Sequence, residues 1–338
     1  MEKLRVIGTG GTIAATATEK GDKPTIGVTT LLHKIPQIRE RFDSDPIQLL
    51  QKDSTFINHK DWARIAREAY HASAQGNKVL ITHGTDTLAY TSAALSFAIQ
   101  NPQTSIVLTG SMRLPEEPET DALKNLTDSA IFLLEGAKGV YVVFNGKVMT
   151  ASRITKVHST DVNAFDTVDG KYVATVEENR VVYQNKLVES NAQTNLADTF
   201  DNRVCTLKVT PSLPKDVFDA ILDKGFKAIN IAAFGTGNIP YTSSKGDPEK
   251  VLGGLLRKAI QTARRVPVVV TSQAAHGGVD LRKYEVGRKI EIPPMISGED
   301  MSQEAAHVKL MWCLGQGMNL DEIRRSFERS YAGEITVG

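Results

Sequence analysis

The chain has 338 residues, 40 Lys+Arg against 39 Asp+Glu and a formal net charge of +1. A hydrophobic fraction of 41% excludes a disordered chain, and the charge balance leaves no basic excess for binding nucleic acid by counterion release. The two cysteines, Cys205 and Cys313, sit in separate apolar stretches, which excludes a disulfide framework or a cysteine-rich metal site and reads as two buried thiols. No apolar run approaches the roughly 18 residues of a membrane span. MEKLRVIGTGG carries no apolar leader, so a cytoplasmic protein is expected.

In chain order, the first Val/Ile-rich run is LRVIGTGGT (4–12). A helix follows at Asp61–Ala74, with Trp62, Ile65, Ala66 and Ala69 on one stripe. KVLITHGTDT (78–87), a helix at Ala89–Gln100, SIVLTGS (105–111), a helix at Ala122–Glu135 and GVYVVFNG (139–146) continue the alternation. KYVATVEENRVVYQNKLV (171–188) alternates around a polar centre and predicts a β-hairpin. Residues 190–203 are polar and poor in large hydrophobes, as a linker would be. Beyond them come strands at 204–211, 228–237 and 266–273, and helices at Lys215–Lys224, Glu249–Arg264, Ser302–Leu314 and Asp321–Ser330. Runs apolar on both faces suit parallel strands covered by helices. The expected architecture is α/β: an N-terminal domain (1–189) with a mostly parallel sheet flanked by helices, and a smaller α/β C-terminal domain (204–338).

Ligands of open α/β sheets sit at the carboxyl ends of the strands. Those ends carry GTGGT, THGTDT, TGS and NGK, so the site is expected in the N-terminal domain. Gly8 and Gly10 fit a dinucleotide fingerprint, but position 13 is isoleucine, and no lysine completes a P-loop. A tight glycine turn with Thr12 as a satisfied hydroxyl remains an alternative. Thr82-His83-Gly84-Thr85-Asp86-Thr87 gathers three hydroxyls, an imidazole and a carboxylate at one strand end. A helix N-cap at Asp86 or Thr87 accounts for one or two of these residues, not five. His83 reads better as a satisfied structural histidine than as a base.

GTGGTIA (8–14) and ITHGTDTLAYTSAALSF (81–97) resemble the two signature segments of the bacterial and archaeal L-asparaginases. The resemblance extends over nearly the whole chain, through Asp53-Ser54-Thr55, TGSM (109–112), TDALKNL (120–126), Arg153-Ile154-Thr155-Lys156 and SGEDMSQEA (297–305). The DST turn, FNGKVM (144–149) and the C-terminal segment are most similar to the cytoplasmic type I branch, its archaeal members in particular. The resemblance implies hydrolysis of L-asparagine to L-aspartate and ammonia through a threonine ester, without metal or cofactor, by a homodimer or homotetramer. It implies Thr12 as nucleophile and Thr85, Asp86 and Lys156 as the second catalytic group. Gly11, Asp53, Ser54, Thr55, Gly84 and Ser111, with Thr85 and Asp86, are the implied substrate-binding residues. Asp86 would take the substrate ammonium, and Ser54 and Thr55 its carboxylate.

Three departures accompany the resemblance. The family places a tyrosine on the loop after the first strand, but residues 13–40 contain none, and Asp22 stands roughly there. The secreted branch supplies a glutamate from a neighbouring subunit, whereas the matching HGGVDLRKY (276–284) offers only Asp280 and Tyr284. SQAAHGG (272–278) lacks the allosteric cysteine of some type I enzymes, so activation by asparagine is not expected. The alternatives are a glutamine-preferring amidohydrolase and the glutaminase subunit of a tRNA-dependent amidotransferase. The latter kind carries an extra N-terminal domain, whereas the first strand here opens the sequence.

Overall fold

The computed structural model describes all residues except 20, 186–191, 244–251, 282–293 and 337–338. It divides into two compact units, Met1–Thr199 and Phe200–Gly338.

The first unit runs β1 (Glu2–Gly10), α1 (Val28–His33), α2 (Pro36–Arg41), β2 (Phe42–Lys52), α3 (His59–Ala74), β3 (Lys78–Thr82), α4 (Leu88–Ala98), β4 (Ser105–Thr109), α5 (Asp121–Leu134), β5 (Gly139–Phe144), β6 (Lys147–Thr150), β7 (Ile154–Lys156), β8 (Phe165–Thr167), β9 (Ala174–Glu177) and β10 (Arg180–Tyr183). Eight strands form one sheet in the order β10-β9-β6-β5-β4-β3-β1-β2. The five from β5 to β2 are parallel; β6, β9 and β10 are antiparallel. Val6, Ile7, Leu80, Ile81, Val107 and Leu108 are fully buried, as strands covered on both faces require. One face packs on α1, α2 and α5 through Leu31, Ile38, Leu126 and Leu133. The other receives α3 and α4.

The chain passes from β1 out to the edge strand β2 and returns to β3 on the opposite side of β1. The strand order therefore reverses at β1, which opens a crevice at the carboxyl ends of β1 and β3. NGK does not line that crevice: Asn145 (φ 48°) and Gly146 (φ 76°) form the tight hairpin turn joining β5 to antiparallel β6. The expected hairpin is β9–β10, turning at Glu178 and Asn179 with φ 49° and 61°; its residues 186–188 lie outside the described residues. Of 190–203, residues 190 and 191 are also outside. Within the rest, Asn195–Leu196 pairs antiparallel with Ile99–Gln100, Thr194 donates to the Asn101 carbonyl, and the division between the two units falls at Thr199–Phe200.

The second unit has a parallel sheet, β11 (Val204–Lys208), β12 (Ala228–Ala233), β13 (Val268–Ser272) and β14 (Ile296–Ser297), in that order. Its helices are α6 (Val217–Asp223), α7 (Gly254–Ala263), α8 (Gln303–Gly315) and α9 (Leu320–Phe327). Phe218, Ile229, Ile231, Leu255 and Val270 centre one core. On α8, Lys309 is fully buried against Glu334 (2.6 Å), which also accepts from the Tyr331 and Ala332 amides. Cys313 is buried beside Ser326, whereas Cys205 is only half-buried. Among the described residues no helix is long and apolar enough to cross a membrane.

Candidate active site

The turn after β1 is pressed against two other strand ends. A Cβ on Gly10 would lie 2.4 Å from the Lys52 carbonyl oxygen, and one on Gly11 would lie 2.2 Å from the Gly84 Cα. Gly11 has φ 78° and ψ −177°, backbone open essentially to glycine. Only glycine at both 11 and 84 lets these turns touch backbone to backbone. The residues following them, half-buried Thr12 and buried Thr85, are thereby brought to one place.

Thr85–Thr87 forms a 3-10 turn that runs into α4. Lys156 reaches it from the end of β7, which pairs with β8 outside the eight-stranded sheet: its Nζ donates to Thr85 Oγ1 (3.0 Å) and to Asp86 Oδ1 (2.7 Å). Helix α4 organises both partners, since it begins just after the turn and its Ser92 donates to the Ala151 carbonyl at 2.8 Å, anchoring the segment that leads into β7. The lysine is thus no free surface side chain: its own side chain is 21% exposed, and that of Asp86 is 57% exposed. A hydroxyl that accepts from an ammonium is polarised and can pass its own proton onward.

His83 is fully buried, and its Nδ1–H donates to the Gly84 carbonyl at 2.7 Å. Desolvation lowers its pKa from 6.5 to about 4, and the Gly84 bond offsets only part of that. The imidazole is therefore neutral and its Nδ1 side holds the peptide that precedes Thr85, as a structural histidine does, but it is only half satisfied: the buried Nε2 has no hydrogen-bond partner among the described residues.

Around Asp53-Ser54-Thr55 the backbone turns through one 3-10 turn. Asp53 Oδ1 accepts both the Thr55 amide and the Thr55 hydroxyl, each at 2.8 Å, so the Thr55 donors serve the turn itself. Ser54 is buried, with its Oγ 2.8 Å from where a Gly84 Cβ would stand. The Lys52–Asp61 ion pair (2.8 Å) closes the base of this segment. Ser111 is buried and donates to the Arg113 carbonyl (2.7 Å), while Asp121 accepts the Met112 and Arg113 amides.

Gly11, Thr12, Ser54, Gly84, Thr85, Asp86 and Lys156 thus converge. Asp53 is exposed, and the hydroxyls of Thr55 and Ser111 are engaged within their own turns. Asp22 is exposed beside a short antiparallel pairing of Ala15–Thr16 with Lys23–Pro24. Asp280 belongs to the second unit, where its amide donates to the Thr236 carbonyl; Tyr284 lies outside the described residues. Sequence reasoning missed Thr87, which stands at the α4 N-cap without capping it and donates to the Ser54 carbonyl at 2.7 Å. Its polarity had an adequate local explanation as a cap, and a bond across 33 residues leaves no local signature. Among the described residues no group of His, Cys, Asp or Glu is placed to hold a metal ion.

The family model "Asparaginase, N-terminal" matches residues 3–189, and "Glutaminase/Asparaginase C-terminal domain" matches residues 203–327. The chain belongs to the asparaginase family. Among its relatives is the L-asparaginase of Thermococcus kodakarensis, 41% identical over 337 residues, which cover 99% of each chain. The solved structure of the thermostable L-asparaginase from that organism superposes with a TM-score of 0.90 at 40% identity, covering 99% of this chain and 100% of that one. A probable cytoplasmic L-asparaginase from Campylobacter jejuni gives 0.81 at 26%, covering 98% and 100%. A glutamyl-tRNA(Gln) amidotransferase component from Pyrococcus abyssi is 32% identical over 99% of this chain and 77% of its own length.

Proposed function

We propose that this chain hydrolyses L-asparagine to L-aspartate and ammonia through an ester on Thr12. The observation that carries the reading is the convergence of Thr12 with the Lys156–Thr85–Asp86 cluster at the point where the strand order reverses. Full-length similarity to an L-asparaginase supports the substrate.

In this reading the Thr12 hydroxyl attacks the side-chain amide carbon, and its proton is delivered to the amide nitrogen that leaves. The carbonyl oxygen becomes an oxyanion, and backbone N–H groups of the Thr85 turn stabilise it. Collapse breaks the C–N bond, ammonia departs with a proton, and an aspartyl ester remains on Thr12. In the second half-reaction water attacks the ester carbon and gives a proton to Thr85 Oγ1, which Lys156 holds in place, while Thr85 passes its own proton to the Thr12 oxygen as the ester C–O bond breaks and L-aspartate leaves; Asp86 keeps the lysine in place. Asp86 also accepts the substrate ammonium. Buried Ser54 meets the α-carboxylate, and the turn that Asp53 and Thr55 lock presents it.

The chain also functions, in this reading, as a homodimer or homotetramer in the cytoplasm. Phe56, 71% exposed, and Val157, 48% exposed, adjoin Thr55 and Lys156, and large apolar side chains beside polar site turns support an assembly that covers them. Light scattering of the purified protein tests this; a monomer at micromolar concentration refutes it.

Thr12→Ala tests the mechanism. Turnover of L-asparagine should disappear while the melting temperature and L-aspartate binding stay near those of the parent. Ordinary turnover by this variant removes Thr12 as nucleophile.

A further inference from the structure

Thr87 gives its hydroxyl to an unusual partner. An N-cap threonine ordinarily satisfies one of the first free N–H groups of its helix. Thr87 occupies that position on α4, yet it makes no capping bond and donates to the Ser54 carbonyl at 2.7 Å. That oxygen has no need of a second donor, because the Ile57 amide already reaches it at 3.0 Å. The bond therefore serves geometry rather than satisfaction of a buried acceptor.

Its consequence follows from the planarity of the peptide group. The Ser54–Thr55 peptide is held at its carbonyl by Thr87 and at its N–H by Asp53 Oδ1 (2.8 Å). With the plane fixed at both ends, Ser54 cannot rotate away, and its side chain rests against Gly84, with Oγ 2.8 Å from where a Cβ would be. One turn carries Thr85, the other Ser54, and Thr87 is the side-chain hydrogen bond that joins them.

We propose that Thr87 is a positioning residue that fixes the span between the Ser54 turn and the Thr85 turn, and thereby selects the substrate by length. This rests on the reading above, in which Ser54 receives the α-carboxylate and Thr12 attacks the amide. Asparagine and glutamine carry identical ends and differ by one methylene between them. A Ser54 turn pinned to the catalytic turn fits one of these lengths, whereas a turn free to move by about one C–C bond length accommodates both. One methylene is discriminated roughly 10–200-fold by a defined pocket, so that ratio is what Thr87 protects.

The test compares the parent, Thr87→Val, which keeps the shape and removes the donor, and Thr87→Ser, which keeps the donor. Ammonia release is measured over concentration series of L-asparagine and of L-glutamine. For Thr87→Val the asparagine-to-glutamine ratio of kcat/KM should narrow about tenfold, mainly through a higher KM for asparagine, with kcat within about threefold of the parent. Thr87→Ser should keep the parent ratio. If Thr87→Val does not fold, Thr87→Ala reads the same quantity without a branched side chain at the helix start. An active parent whose ratio is unchanged in Thr87→Val, or a variant that loses both substrates by the same factor through kcat, overturns the role of Thr87 alone. A parent inactive on both amides overturns the reading of the site, and this inference with it.

Discussion

Replacing Gly11 with alanine tests whether the contact of two glycine turns sets the catalytic geometry. The residue holds φ 78° and ψ −177°, where a side chain costs about 1–3 kcal/mol. The added methyl would also stand 2.2 Å from Gly84 Cα and 2.3 Å from Gly84 N. Both are backbone atoms, so neither can swing aside, and the turns must separate by about 1 Å to restore ordinary contact; such overpacking typically adds about 1–3 kcal/mol. The total of about 2–6 kcal/mol lowers the melting temperature by roughly 4–24 °C for a unit of this size. A misplacement of about 1 Å between nucleophile and partner groups costs on the order of 100-fold in rate. The assay is coupled ammonia release from L-asparagine below the melting point, with calorimetry on the same preparation. Gly136→Ala is the control: Gly136 has φ 72° but nothing within 4 Å, so it carries the backbone strain without the crowding and should lose a little stability and no activity. A folded Gly11→Ala protein with kcat within twofold of the parent refutes the claim that this contact positions Thr12.

Lys156→Met should reduce kcat about 100- to 10,000-fold while KM changes less than about threefold; a raised KM with intact kcat makes Lys156 a binding group instead. Unfolded histidine takes its proton below about pH 6.5, but folded His83 does so only near pH 4. Protonation thus favours the unfolded chain between those values, and His83 alone should cost up to about 3 kcal/mol of stability as pH falls through that window. His83→Asn, which retains a donor for Gly84, should show a shallower loss by denaturant titration at pH 6.5, 5 and 4; an unchanged slope contradicts the neutral, buried histidine. Glu334→Ala strands the buried Lys309 ammonium and should destabilise the second unit by about 3–5 kcal/mol in calorimetry, whereas Lys309→Met with Glu334→Leu should recover most of it. If the pair and the single replacement cost the same, the ion pair is not what holds that tail.

The central strands were legible because parallel strands covered on both faces read as unbroken Val/Ile runs, as in Lys78–Thr82 and Ser105–Thr109. Strand β2 was not. It lies at the sheet edge, only Phe42 and Leu50 are buried, and Pro46 is tolerated there for lack of a second neighbour, so neither alternation nor an apolar run marks it. Helices α1 and α2 are six residues each and are separated near Pro36, too short for a helical period. NGK was misplaced because a polar strand end and a hairpin turn look alike until the next strand, Lys147–Thr150, is seen to run back. In the site, GTGGT and THGTDT announced themselves by density of small and polar residues. The association of Lys156 with Thr85 was legible only through family resemblance, since 71 positions separate them and Lys156 belongs to a separate two-stranded pairing. Thr55 and Ser111 show the opposite limit: sequence places a hydroxyl near the site but does not say which acceptor it meets, and both are engaged by their own turns.

The most direct measurement is ammonia release by the purified protein, with L-asparagine and L-glutamine at matched concentrations. The account predicts turnover of asparagine well above glutamine. Release from neither amide, or a clear preference for glutamine, contradicts it.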